Sequence, residues 1–154
     1  MSMQLNEQLK FNNTIRITLR DLTGNVVKQI TQKNLVTTIG KRLMLDILGQ
    51  NGTTGILYGA VGTGDTAAVV GDTTLETEFA RNLDVYSRSQ SIGTFSVFFN
   101  TGEANTTIKE IGFFGGSATG VADSGTLFNR IVLTTPITKA ADYTLSIDLD
   151  ISIS

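Results

Sequence analysis

The side chains that could do chemistry in this 154-residue chain are carboxylates, lysines and hydroxyls, because the sequence contains no cysteine and no histidine. Without those two residue types the chain cannot build a Ser–His or Cys–His nucleophile pair. A zinc site made of cysteine and histidine ligands is excluded for the same reason. Chemistry based on a lysine or on paired carboxylates stays open.

The clearest carboxylate pair is Asp148 and Asp150, which lie two residues apart in a strongly alternating stretch. On a β-strand this spacing places both side chains on one face, with about 7 Å between the Cα atoms. Such a pair can serve glycoside hydrolysis or bind calcium. No other residue pattern selects either role, so we favour a solvated strand face.

A second candidate is the segment 58–81, YGAVGTGDTAAVVGDTTLETEFAR, which is rich in glycine, threonine and aspartate. Its GTGDTAA stretch has the GxGxxA spacing of a dinucleotide turn, but that site needs a parallel βαβ unit with a helix after the turn. Gly71 and Asp72 interrupt any such helix. Asp65, Asp72 and Glu76 could instead hold a cation through oxygen ligands, although their spacing differs from that of a calcium loop.

The same segment carries an apolar pair, Val69 and Val70, inside an otherwise polar loop. Either this pair folds back on its own domain, or it docks on a neighbouring subunit, because exposed apolar patches tend to mark interfaces. For the second case we predict an interface formed by Thr63, Asp65, Val69, Val70 and Phe79. Phe98 and the pair Phe113–Phe114 are expected in the core and not on a sugar-binding platform.

One helix is predicted to follow Thr37 or Thr38, either of which can act as its N-cap. Ile39, Leu43 and Ile47 form an apolar stripe that Met44 and Leu48 widen, and Gly49 ends the helix. A shorter helical turn is predicted after Asp72 or Thr73. There Thr73 and Glu76 have capping-box spacing, and Leu75 and Phe79 could both tuck under the loop.

Short alternating or apolar runs separated by turn residues predict about eight strands. These runs cover residues 14–20, 26–31, 56–61, 83–89, 94–99, 107–114, 126–133 and 145–153. Together with the single helix they predict a mainly β fold, an antiparallel β-sandwich with one amphipathic α-helix packed against it. Residues 1–13 are predicted to form a polar N-terminal arm, and residues 14–154 a single domain.

Composition limits the classes of partner. The net charge is −2 and the sequence pI about 5.0, with the basic residues scattered, which argues against nucleic-acid binding. No apolar run reaches 18 residues, and the N-terminal stretch lacks the apolar core of a signal peptide. We therefore expect no membrane partner and a protein made in the cytoplasm.

Several stretches of the chain, kept in order, resemble a family of small virion proteins of tailed bacteriophages. The stretches are residues 34–38, 40–48, 58–64, 71–78, 81, 108–114, 125–130 and 136–139, followed by the alternating final strand. The resemblance spans about residues 34 to 153. Each stretch alone is short, and it is their order and spacing that carry the resemblance.

The resemblance implies a non-enzymatic structural component of a phage particle, with no cofactor and no metal. It implies partners that are other copies of the chain and other virion proteins, and assembly in the host bacterial cytoplasm. We favour the tail, neck or fibre-attachment region over capsid decoration. A module that binds a carbohydrate or host receptor is the alternative, and an enzyme using Asp148 and Asp150 is the least favoured reading.

Overall fold

The computed structural model describes residues 8–154, and within that range it confirms a mainly β, antiparallel fold with one helix. The helix is α1 (Thr38–Leu48). The strands are β1 (Phe11–Asp21), β2 (Val26–Lys33), β3 (Leu35–Val36), β4 (Ile56–Gly62), β5 (Glu78–Ser89), β6 (Ile92–Phe99), β7 (Thr107–Gly115), β8 (Thr126–Thr138) and β9 (Tyr143–Ile153).

The two layers expected of a sandwich are two halves of one continuous sheet, with strand order β2-β1-β9-β6-β5-β4-β7-β8-β3. Strand β5 joins the halves, because its residues 78–83 pair with β4 and its residues 84–89 pair with β6. The sheet therefore curves until it is nearly barrel-shaped. Across the remaining gap, the Gln32 side chain of β2 donates to the Val132 carbonyl and accepts from the Thr134 N–H of β8.

The main core lies inside this curved sheet. Alternation places Ile17 of β1 and Val97 of β6 on either side of Ile147 of β9, all pointing inward and all buried. The fully buried rings of Phe99 and Phe113 fill the middle. This arrangement confirms the predicted division of the final strand into an apolar core face and a polar outer face.

A second, smaller core covers the outer face of β4, β7 and β8. Phe113 belongs to the inner core, and Phe114, its neighbour in the strand, points the opposite way into a cluster with Ala60 and Leu127. Leu75 and Ala118, from the loops that follow β4 and β7, complete that cluster. Both phenylalanines are therefore core residues, as the sequence predicts, because loops and helix cover the outside of this half of the sheet.

Helix α1 begins as predicted, at a Thr37 cap that also ties it to β8. Thr37 Oγ1 accepts from the Gly40 N–H at 2.9 Å and donates to the Leu127 carbonyl at 2.6 Å. Gly40 lies so close to β8 that a Cβ there would overlap the Phe128 carbonyl oxygen. Leu43 is buried, as the apolar stripe predicts.

The predicted width of the helix stripe is wrong at its C-terminal end. Leu48 is 81% exposed and Ile47 is also exposed, while Met44 is half-buried against the core. The buried residues of α1, Gly40 and Leu43, lie in its first two turns, where Gly40 permits close approach to β8. The last turn extends past the sheet and leaves its apolar side chains in solvent.

Several predicted boundaries also change. Residues 1–7 of the predicted N-terminal arm lie outside the described residues, but residues 11–13 belong to β1, which begins at Phe11 and not at residue 14. Strand β5 begins at Glu78, five residues before the predicted start. Strand β8 continues to Thr138 through an irregular pairing with β7, and Pro136 falls within that irregularity.

Candidate functional site: the 58–81 segment and the surrounding surface

The loop between β4 and β5, residues 63–77, is held by a buried carboxylate on β7. Glu110 has no solvent exposure. Its Oε1 accepts from the backbone N–H groups of Gly64 at 3.1 Å and Thr77 at 2.7 Å, and its Oε2 accepts from the Glu76 N–H at 2.9 Å. One carboxylate therefore satisfies three backbone donors from both ends of the loop, which fixes the two ends against the sheet.

Arg130 of β8 extends this network to the middle of the loop. Its Nε donates to Glu110 Oε2 at 2.9 Å, its Nη1 to Asp72 Oδ2 at 2.9 Å, and its Nη2 to the Thr66 carbonyl at 3.0 Å. The side chain is only 3% exposed. Burial disfavours the charge, but the hydrogen bonds to Asp72 and Glu110 outweigh it, so the pKa of Arg130 lies above its ordinary value.

Each of the carboxylates proposed as cation ligands has a partner within the protein. Asp72 pairs with Arg130, and Asp65 Oδ2 pairs with Lys109 Nζ at 2.9 Å. Glu76 accepts from both the N–H and the hydroxyl of Thr66, hydrogen bonds that hold the pKa of Glu76 below its usual range. Within residues 8–154 no three histidine, cysteine or acidic side chains are arranged to hold a metal. The loop is organised by arginine, lysine and hydroxyl groups.

The glycines of the GxG stretch serve close packing of this loop. A Cβ on Gly62 would overlap the Thr77 carbonyl, and a Cβ on Gly64 would overlap the Glu76 side chain. The sheet around them is antiparallel, and residues 63–77 form turns and bends without a helix. These two glycines let the outgoing and returning arms of the loop lie side by side, which accounts for the spacing that resembles a dinucleotide turn.

The predicted helical turn within the loop is wrong. Glu76 does not cap Thr73, because its carboxylate is bound to Thr66, and Val69 donates its N–H to Asp72 instead. Leu75 is buried in the outer core, as expected, but Phe79 is 53% exposed. The backbone N–H groups of residues 76 and 77 donate to Glu110. These two long-range hydrogen bonds replace the local capping pattern.

A second buried arginine holds the neighbouring loop, residues 116–125. Arg81 forms an ion pair with Glu78 at 2.5 Å and donates Nη1 to the carbonyls of Thr119 and Ser124. Its guanidinium lies over the Phe114 ring, 4.4 Å from the centroid. Sequence reasoning missed this site, because residues three apart in a regular strand point to opposite faces. The irregular pairing of β5 with β4 between Glu78 and Ala80 is what brings Glu78 and Arg81 together.

The structure places the five predicted interface residues in different settings. Val69, Val70 and Phe79 are about half exposed, and Asp65 is largely exposed beside Lys109. Thr63 is partly buried, and its N–H donates to the Thr77 carbonyl. The Val70 carbonyl accepts from the Thr38 N–H, which docks the apolar pair beside the start of α1. The prediction that these residues contact a neighbour stays a prediction.

Further exposed apolar residues lie on β5 and β6, and the sequence analysis did not identify them as a group. Leu83 and Val85 share one face of β5, and Val85 is paired with Ser96 of β6, whose face also carries Phe98. Leu83, Val85 and Phe98 are each more than half exposed, so the prediction that Phe98 is a core residue is wrong: its face of β6 is the uncovered outer one. We call these three residues the outer patch. A contiguous apolar patch on a sheet face typically marks an interaction surface.

An apolar cleft of about 810 Å³ opens between α1 and the adjacent ends of β1, β5, β6 and β9. Its walls include Phe11, Met44, Ile47, Tyr86, Phe95 and Ile153. The Tyr86 and Phe95 rings contact each other with centroids 4.9 Å apart. Arg88 also lines the cleft, and among residues 8–154 it forms no ion pair. Within the part of the chain that the structure describes, the walls of the cleft carry few polar groups and no carboxylate.

Asp148 and Asp150 are engaged with their cross-strand neighbours. Arg16 lies between them, 2.9 Å from Asp148 Oδ2 and 3.5 Å from Asp150 Oδ2. The other oxygen of Asp148 accepts from the Ser96 hydroxyl, and that of Asp150 accepts from the Thr94 hydroxyl, both at 2.6 Å. The pair therefore forms part of a polar ladder across three strands, more fully partnered than the solvated face that we predicted.

Comparisons with protein-family models, with curated protein sequences and with solved structures found no match to this chain. Within the described residues, no helix has the length and apolar character needed to cross a membrane. The geometry of the loops, the outer patch and the cleft is therefore the structural basis for a functional proposal.

Proposed function

We propose that this protein is a non-enzymatic structural virion protein of a tailed bacteriophage, an assembly component of its tail, neck or fibre-attachment region. The observation that carries the proposal is the combination of rigidly held loops with exposed apolar surface. The sequence resemblance to small virion proteins supplies the biological setting.

The loops have the properties expected of a preformed docking surface. Glu110 and Arg130 fix residues 63–77, and Arg81 with Glu78 fixes residues 116–125, so both loops are ordered before any partner binds. Association then loses less conformational freedom than it would with mobile loops, and more of the contact energy remains as affinity. A small interface repeated by symmetry can therefore give a stable assembly.

The distribution of charge and apolar groups supports contact over catalysis. The acidic residues that could act on a substrate, Asp148, Asp150 and Glu110, are bound to arginine and to hydroxyl or backbone donors. Val69 and Phe79, by contrast, present apolar side chains to solvent. We propose that these residues contact other copies of the chain and neighbouring virion proteins.

The proposal is tested by the molar mass of the purified protein over a range of concentrations, measured by light scattering after size exclusion. We expect a defined homo-oligomer. Val69→Asp and Phe79→Asp should each weaken self-association at least tenfold, because each places a charge in an apolar contact. Leu22→Asp, at an exposed apolar residue on the β1–β2 turn, should leave the mass unchanged. A strictly monomeric protein would contradict the proposal.

The position in the particle is tested separately, by electron microscopy of particles with this protein labelled. We expect label at the tail, the neck or the fibre attachment. Label distributed over the head would favour the alternative role in capsid decoration and overturn the tail assignment.

A further inference from the structure

We propose that residues 1–9 of one copy occupy the apolar cleft of a second copy, as an exchanged arm that joins two subunits. The inference rests on the proposed self-assembly and names the contact that would carry part of it. Four observations lead to it: the chemistry of the cleft, the position of the start of β1 at its rim, the alternation of the preceding sequence and one complementary charge.

The cleft is suited to an extended apolar segment. It is open, its volume is about 810 Å³, and its walls are mainly apolar side chains from α1 and from the ends of β1, β5, β6 and β9. Phe11, the first residue of β1, is one of those walls. The chain that precedes Phe11 therefore leaves the domain at the rim of the cleft.

The start of β1 leaves the preceding segment available to a partner. Lys10 and Ser154 exchange two backbone hydrogen bonds, Lys10 N to Ser154 O at 2.6 Å and Ser154 N to Lys10 O at 2.9 Å. The chain is thus still paired beside the end of β9 at Lys10. Leu9 is 75% exposed. We place the arm in a second copy because an exchanged arm links two subunits, as the proposed self-assembly requires.

The sequence before Phe11, MSMQLNEQLK, alternates in the register of the core face of β1. Phe11, Ile15 and Ile17 are odd-numbered and lie in or against the core. Continuing that parity backwards gives Leu9, Glu7, Leu5, Met3 and Met1. Four of these five are apolar, so an extended arm presents one apolar face of the kind that the cleft can bury.

The single acidic residue of the arm is complementary to Arg88 of the cleft, whose Nη1 donates to the Gln90 carbonyl. Glu7 is the only charged residue among residues 1–9, and it shares the apolar face of the arm. Arg88 lines the cleft without an ion-pair partner among the described residues. An arm that seats Leu5 and Leu9 on the apolar walls brings a carboxylate toward that guanidinium, which would fix its register in the cleft.

Disulfide trapping tests the inference, because the chain has no native cysteine. A Leu5→Cys chain is mixed with an Ile47→Cys chain that carries a mass tag, and the mixture is oxidised mildly. We expect disulfide-linked heterodimers on a non-reducing gel. Leu22→Cys, an exposed apolar position on the β1–β2 turn, replaces Ile47→Cys as the matched control and should give at least tenfold less heterodimer.

A charge exchange adds a second readout. Glu7→Lys should lower the yield of heterodimer severalfold, and combining it with Arg88→Glu should restore the yield. If the mixture gives no heterodimer while a Leu5→Cys/Ile47→Cys double variant closes a disulfide within one chain, the arm occupies its own cleft and the inference is wrong. If neither disulfide forms, the arm does not occupy the cleft and the inference is also wrong.

The molar mass in solution separates this failure from failure of the proposed function. A homo-oligomer that forms no cleft disulfide overturns the exchanged arm and leaves the assembly role standing. A monomer that forms none contradicts both proposals.

Discussion

Arg130 and Glu110 connect two strands of the sheet to a loop that local sequence would leave loosely specified. The ion pair is buried, with 2.9 Å between Arg130 Nε and Glu110 Oε2, and its remaining hydrogen-bonding groups reach Asp72, Thr66 and the loop backbone. A buried pair adds little when it is compared with apolar residues of similar size, but loss of one partner leaves an uncompensated charge. The network therefore specifies the loop conformation more than it adds overall stability.

We predict that Arg130→Met lowers the free energy of unfolding by about 3–5 kcal/mol, because it leaves Glu110 and Asp72 without their cation. Urea denaturation monitored by circular dichroism measures the change. Arg42→Met, at an exposed position on α1, should change the stability by less than about 0.5 kcal/mol. Equal stabilities for the two variants would show that Arg130 does not hold the loop.

Asp84 is a carboxyl group whose ionisation lowers the stability of the fold as the pH rises, opposite to the effect of most paired carboxylates. Burial raises its pKa from 3.8 to about 6, and its Oδ2 has no hydrogen-bond partner within the described residues. A carboxyl whose pKa is higher in the folded state binds its proton more tightly there, so its ionisation destabilises the fold. The penalty is absent below about pH 3.8, grows as the pH rises through 6, and is complete above that.

We predict that Asp84→Asn raises the free energy of unfolding at pH 7 by about 1–2 kcal/mol, a value reduced from the full shift to allow for partial solvent screening. The variant should also remove this residue's loss of stability between pH 4 and pH 6. Urea titrations at pH 4, 5, 6 and 7 measure both effects. Asp142→Asn, at an exposed carboxylate, serves as the control. Parallel pH profiles for wild type and Asp84→Asn would contradict the assignment.

The sequence gives partial evidence that Glu110 and Arg130 form a buried pair. Glu110 and Arg130 each interrupt a strongly apolar strand, and a buried charge needs a partner of opposite sign. Their pairing could therefore have been inferred. Their contact with the 63–77 loop could not, because it depends on which backbone N–H groups the folded loop presents, and no residue spacing encodes that.

At the scale of elements, the ends of helix α1 could be predicted from the sequence. Which of its apolar side chains are buried could be predicted only in part. Thr37 as N-cap and the end near Gly49 follow from local side-chain chemistry, and the structure confirms them. The burial of the stripe depends on where the helix meets the sheet. Gly40 sets that contact, so Leu43 is buried and Leu48, five residues further along the helix, is exposed.

We predict that Leu43→Ala costs about 2–5 kcal/mol of unfolding free energy, because it opens a cavity in a packed site. Leu48→Ala, the same substitution five residues later on the same helix, should cost less than about 0.5 kcal/mol. Chemical denaturation of both variants gives the comparison. A small cost at residue 43 would mean that the helix does not pack through this face.

At the scale of the whole molecule, the number of strands and their alternation predicted the fold class. They did not predict that the strands form one continuous, curved sheet. Strand β5 runs from Glu78 to Ser89 and bridges the two halves of the sheet. Its first residues were assigned to a helical turn because Thr73 and Glu76 have local capping spacing. Pairing of that stretch with β4 is a long-range choice, which local patterns do not determine.

The exposed apolar groups follow from the same architecture. Outer loops and α1 cover one half of the sheet, while the outer face of β5 and β6 remains open and carries Leu83, Val85 and Phe98. The cleft opens at the strand ends beside the exposed last turn of α1. Together these surfaces are the physical basis for proposing a building block that binds copies of itself and other virion proteins.

The most direct test of the account is quantitative mass spectrometry of purified phage particles from the host that carries this sequence. The account predicts that the protein is present in intact particles at a fixed copy number that is a multiple of a symmetric oligomer. Its absence from particles, together with a monomeric mass in solution, would contradict the central claim.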